Sequence, residues 1–231
     1  MQEKSGIKKL ITAMLIAGCC LLTVAFPHVF GRRGYYLAAF IYAVMAIGSV
    51  LLSFENRNTA PLKLAVLAVM CALGIGSRMV FAGVPFIKPV AAIVILTGAC
   101  MGPQRGFVSG AVIMLVSNFM FGQGPWTVWQ MLAFGITGML AGVIFYKNKT
   151  MKKPVFLSVF GFVCYRFITG PILDLSGIFA YSMGGKTSLI ATLTFGFGIN
   201  LTSAVSTAVF LVILADPIIK KLNRINIKYG L

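Results

Sequence analysis

Acidic residues are nearly missing from this chain, which has four Asp and Glu against 20 Lys and Arg in 231 residues, and a single histidine, His28. Charged residues together make up only 10% of the sequence while 59% is hydrophobic, against roughly 25% charged in an ordinary soluble domain. That poverty of charge excludes a soluble enzyme. Apolar/polar alternation over short segments is absent as well, which excludes a transmembrane barrel. The five cysteines, Cys19, Cys20, Cys71, Cys100 and Cys164, all sit inside apolar runs without metal-ligand spacing, so they read as small fillers and no metal site is expected. Nucleophilic chemistry finds little support. In Gly106–Gly110 the position two before Ser109 is Phe107 where a nucleophile elbow needs glycine, and His28 is far away in sequence. Ala180–Ser188, AYSMGGKTS, has Ala180 where a phosphate-binding loop needs glycine, and no strand precedes it. No catalytic residue and no cofactor is expected.

What the chain has in abundance is apolar sequence, broken at Pro27–Gly34, Glu55–Lys63, Gly83–Pro89, Gly102–Gly106, Gly122–Pro125, Lys147–Pro154 and Gly184–Lys186. Between the breaks lie eight candidate spans, at 8–26, 35–53, 62–82, 86–101, 105–121, 127–146, 154–181 and 187–215. The expected fold is an all-α polytopic membrane protein. The run after MQEKSGIKKL lacks a convincing cleavage site and reads as a retained first span rather than a signal peptide. With the first residues inside, fourteen basic residues fall in inner segments and five in outer ones, among them Arg78 and Lys88. That bias predicts both termini in the cytoplasm. Basic residues spread in this way, between apolar runs, fit topology signals and contacts with membrane lipid rather than nucleic acid. The loops leave no room for an ATPase.

Two ionisable residues fall within the seventh span, Arg166 and Asp174. Each needs compensation, because a charge in hydrocarbon costs at least about 2.5 kcal/mol. Eight residues of helix separate them by about 12 Å, too far for a direct pair without a kink at Gly170–Pro171. Two accounts stand: Arg166 bonds helix-end carbonyls while Asp174 sits at headgroup level, or both line a polar cavity open to the outside. The uncharged loop Phe121–Met131 faces the same side and carries Gln123, Trp126, Trp129 and Gln130, a mixture of amides and flat aromatic faces suited to a large, partly polar ligand. An interfacial aromatic belt accounts equally for Trp126. Asn118, one turn earlier, does not fit a belt.

Small residues recur at four-residue spacing in Ala13–Ala17, in Ala68–Ala72 with Gly76 beyond, and in Gly138–Gly142. Such ladders let helices approach closely, and one not used internally can dock another membrane subunit.

The run Leu62–Gly142 resembles the substrate-binding S components of energy-coupling factor vitamin transporters. The residues that carry the resemblance are Pro89, the turn Gly102-Pro103-Gln104-Arg105-Gly106, and Ser117-Asn118 leading into Gly122-Gln123-Gly124-Pro125-Trp126-Thr127. The resemblance implies a six-helix core over 59–217 in the bacterial plasma membrane; the two spans before it depart from the family pattern and are expected as an accessory helix pair over 1–58, and a basic cytoplasmic tail is expected over 218–231. It implies a vitamin captured outside and delivered inward with a T component and two ATPase subunits, without chemistry. Asn118, Gln123, Trp126, Trp129, Gln130, Arg166 and Asp174 are then the expected substrate-binding residues, and Ala68, Ala72 and Gly76 the docking contact, with Ala13 and Ala17 as a competing stripe. Among vitamin types the Gly122–Thr127 stretch is most similar to the cobalamin group, while lipoate and pantothenate suit Arg166 almost as well. A self-sufficient secondary permease or exporter is the alternative, and Asp174 would be its only proton or sodium site within a span.

Overall fold

The computed structural model describes residues 61–124, 126–148, 151–181 and 186–229. The first two expected spans, with Ala13, Ala17 and His28, lie outside the described residues.

Six helical rods make up the described chain, matching the expected core spans. They are α1 (Pro61–Val80), α2 (Val90–Met101), α3 (Pro103–Phe121), α4 (Trp126–Phe145), a long rod formed by α5 (Pro154–Cys164), a π turn (Tyr165–Thr169) and α6 (Gly170–Tyr181), and α7 (Lys186–Tyr229). Among the described residues, four stretches are long and apolar enough to cross a membrane: Pro61–Val80, Trp126–Phe145, Pro154–Ser176 and Thr194–Ile225.

The short α2 is the axis of the bundle. Ten of its twelve residues, Val90–Ala99, are buried, as expected of a helix that is apolar all round. At about 18 Å it is too short to span hydrocarbon on its own. A single residue, Gly102, joins it to α3. Its φ of 98° is one that side-chain-bearing residues resist, and Pro103 starts the next helix with φ already set and no amide to satisfy.

Glycines let α2, α3 and α4 touch along their backbones. A Cβ on Gly98 would collide with the carbonyl of Gly138, one on Gly138 with the carbonyl of Gly106, and one on Gly142 with the backbone of Pro103. Where lipid is as apolar as leucine, this closeness rather than water exclusion holds helices together. The Gly138–Gly142 ladder is therefore consumed internally.

The fifth rod stays continuous through Gly170–Pro171. Proline cannot donate to the carbonyl four residues back, and the π turn just before it absorbs the misfit: the Gly170 amide bonds Tyr165 O, five residues earlier. Thr169 Oγ1 in that turn meets Thr137 Oγ1 of α4 at 2.7 Å, both buried.

The last rod runs further than its apolar sequence. It passes Pro217 and continues as helix to Tyr229, because Ala215, Ile219 and Leu222 on either side of the proline are buried in the core.

Candidate functional site

One connected set of polar residues gathers at the end of the bundle where α1 and α3 finish and α4 begins. Arg78, in the last turn of α1, is buried. Its Nη1 donates to Ser117 Oγ, to Asn118 Oδ1 at 3.0 Å and toward Met114 Sδ at 3.3 Å, so these partners are all neutral. Asn118, 1% exposed, uses its amide completely. Its oxygen accepts from Arg78, and its Nδ2 donates to Thr127 Oγ1 at 3.0 Å and to Gln130 Oε1 at 2.7 Å. Thr127 in turn donates to Gln123 Oε1 at 2.9 Å and accepts from the Gly124 amide at 3.3 Å. Gln123 Nε2 folds back onto Leu115 O at 2.9 Å. One hydrogen-bonded chain thus runs from α1 through α3 to the start of α4. A buried hydrogen-bonded network of this kind holds its members rigidly.

A second cation approaches from the loop between α1 and α2. Lys88 Nζ lies 5.5 Å from the centroid of the Phe121 ring, and the Arg78 guanidinium lies 4.9 Å from the same centroid. Burial, and then the Arg78 charge, hold the Lys88 ammonium below its usual pKa. In the same loop Phe86 adopts a φ of 64°, a left-handed conformation that costs a side-chain-bearing residue about 1 to 3 kcal/mol. Two cations thus share one aromatic ring, and the hydrogen bonds that Arg78 makes go to neutral groups, an arrangement able to accept an anion.

Of the seven expected binding residues, the network unites Asn118, Gln123 and Gln130. Trp126 packs its ring over Gly124, and Trp129 is buried. Arg166 and Asp174 belong to another contact, between the fifth rod and α7. The Arg166 guanidinium stands 3.7 Å from the centroid of the Phe197 ring and 5.8 Å from that of Phe167. Asp174 Oδ2 accepts from Asn200 Nδ2 at 2.6 Å. Arg166 sits within the π turn and Asp174 beyond it on α6, and each charge finds its own partner.

Sequence reasoning missed Arg78, Lys88, Ser117 and Thr127. Arg78 and Lys88 read from sequence only as two of the five outer basic residues, and Ser117 and Thr127 only as members of a motif.

Among the described residues, Ala68 and Ala72 are exposed on α1, and a Cβ added to Gly76 would meet nothing within 4 Å. The opposite face of the same helix, Leu67, Met70, Cys71, Gly74 and Arg78, is buried.

Comparison with known proteins bears on this arrangement. Residues 58–224 match the family model described as the S component of the ECF-type riboflavin transporter. The folate transporter FolT of Streptococcus mutans serotype c is 27% identical over 107 residues, covering 43% of this chain and 58% of that protein. A UPF0397 protein of Aliivibrio fischeri is 34% identical over 100 residues, covering 40% of this chain and 54% of the relative. The chain thus spans little more than half the length of these curated relatives. No solved structure matches.

Proposed function

The chain belongs to the family of energy-coupling factor (ECF) riboflavin-type transporter S components, and from that premise we propose that it captures an anion-bearing vitamin at the Arg78 end of the bundle. Proteins of this family are transport subunits rather than enzymes, and S components partner with a T component and ATPases. The observation that carries the substrate class is the buried Arg78, bonded to neutral groups and sharing the Phe121 ring with Lys88.

Several vitamins meet that description to different degrees. The family description names riboflavin, which has a flat ring but no charge. Folate, the cargo named for one relative, combines a flat ring with carboxylates. Cobalamin, suggested by the Gly122–Thr127 resemblance, brings a phosphate and amides. The cation pair favours the charged members, with Gln123, Trp126, Trp129 and Gln130 forming the neighbouring wall. Arg166 and Asp174, expected to bind substrate, face Phe197 and Asn200 of α7 rather than join the Arg78 network, and their proposed role is instead to hold the fifth rod against that helix. The charge bias argues that this end faces outward and that both termini are cytoplasmic.

Docking of the T component is assigned to Ala68, Ala72 and Gly76, because that stripe is the open face of a core helix while Gly138–Gly142 is consumed internally. The segment 1–58 is kept as an accessory helix pair.

The test is calorimetric titration of the purified protein with folate, cobalamin and riboflavin, in wild type and in Arg78→Gln. A charged vitamin that binds tightly to wild type and at least about tenfold more weakly to the variant supports the reading. Tight binding of riboflavin, unchanged by Arg78→Gln, overturns it.

A further inference from the structure

A second polar concentration lies at the opposite end of the bundle, where α2 and α4 finish and α1, α3 and α5 begin. A cleft of about 630 Å³ opens there, lined by Lys63, Arg105, Lys152 and Lys153 with a single acid, Asp216. Three of the cations, Lys63, Arg105 and Lys152, are half-buried, so they are not freely solvated surface charges. Arg105 Nη1 donates to Met101 O at 3.1 Å, which anchors the guanidinium at the wall and leaves its other donors for a ligand. Lys152 Nζ sits 5.6 Å from the centroid of the Tyr146 ring. Val66, Ile219 and Leu222 form an apolar wall on one part of the lining, and Asn223 adds a polar amide.

We infer that this cleft binds the phosphate headgroup of an anionic phospholipid, with its acyl chains along the apolar wall. Four cations against one acid specify an anion, and a guanidinium beside ammonium groups suits phosphate oxygens. Free phosphate shares that chemistry, but it has no use for an apolar wall. The location supports the lipid source, since the cleft sits at one end of the spans, at headgroup level. It does not depend on the vitamin site, which lies at the other end.

The test uses the full chain in mixed micelles, with native mass spectrometry counting retained phosphatidylglycerol and phosphatidylcholine. Wild type should retain phosphatidylglycerol selectively. Arg105→Gln/Lys152→Gln should weaken retention at least about tenfold, Arg105→Lys/Lys152→Arg should keep it, and Lys220→Gln/Lys221→Gln, which removes the same charge outside the cleft, should leave it unchanged. Equal loss in both glutamine pairs, or equal retention of phosphatidylcholine, overturns the assignment. Displacement of the lipid by millimolar inorganic phosphate would assign the cleft to a free anion, and displacement by a polyglutamate peptide would assign it to an acidic protein segment; either overturns the lipid reading. Should the glutamine variant not fold, a photo-crosslinking phosphatidylglycerol analogue on wild type decides, since labelling within 63–66, 100–105, 146–154 or 216–227 supports the site and labelling confined elsewhere refutes it.

Discussion

Helices α1 and α4 carry the same kind of small-residue ladder and use it in opposite ways. On α4, Gly138 and Gly142 meet the backbones of Gly106 and Pro103 with no room for a methyl group. On α1, Ala68 and Ala72 face outward while the other side of the helix is locked into the core and ends at Arg78. Spacing alone does not separate an internal seam from a docking face; the neighbours that close over it do. The seam on α4 is filled and holds the fold, whereas the ladder on α1 stays open among the described residues.

The sharpest way to break the comparison is to fill both ladders. Gly138→Leu should cost about 3 kcal/mol or more, because the obstacle is backbone that cannot repack, and a large drop in the thermal transition in detergent would register it. Ala72→Trp should leave that transition in place and vitamin binding intact, yet abolish co-purification with the T component and uptake in cells. If Ala17→Trp blocks assembly and Ala72→Trp does not, the docking face belongs to the N-terminal segment.

The buried side of α1 supplies a contrast within one helix. Arg78→Gln should weaken an anionic vitamin by about 1.5 to 3 kcal/mol and spare assembly, reversing the pattern of Ala72→Trp in paired binding and pull-down measurements. A smaller effect is expected from pH. Since Lys88 is held below its ordinary pKa when the site is empty, a bound anion raises it, so affinity is full below the free-state value and declines as pH rises through the interval between the two. Titrations from neutral to strongly alkaline pH should show this slope in wild type and lose it in Lys88→Gln. Least of all, Gly76→Ala should stabilise by up to about 1 kcal/mol, because alanine suits a helix better and nothing stands within 4 Å of the new methyl.

The six core helices were legible because lipid demands long apolar runs, and proline, glycine and charge interrupt them where the rods end. The course of α7 beyond Pro217 was not legible, since burial of Ile219 and Leu222 against distant helices keeps it helical. Part of the site could be read from its amides, and Asn118 announced itself as a polar residue in an apolar run. Arg78 did not, because whether an arginine near a helix end enters the bundle or the headgroups depends on what α3 offers it. Here Ser117 and Asn118, roughly 40 residues on, offer hydrogen bonds, a long-range fact absent from any local pattern. Arg166 and Asp174 were rightly read as needing compensation, but their partners, Phe197 and Asn200, sit on α7.

The π turn at Tyr165–Thr169 acts as a phase adjuster. It accommodates one residue more than an α-helix would, so the segment beyond it is rotated by about 100° relative to an uninterrupted helix. That offset aims Asp174 at Asn200 and lets Gly170 lie against the same asparagine. Deleting a single residue between Tyr165 and Thr169 would restore regular winding and turn the whole of α6 like a key, swinging its carboxylate away from Asn200. The composition of the helix would scarcely change, and the surface it presents to its neighbours would be a different one.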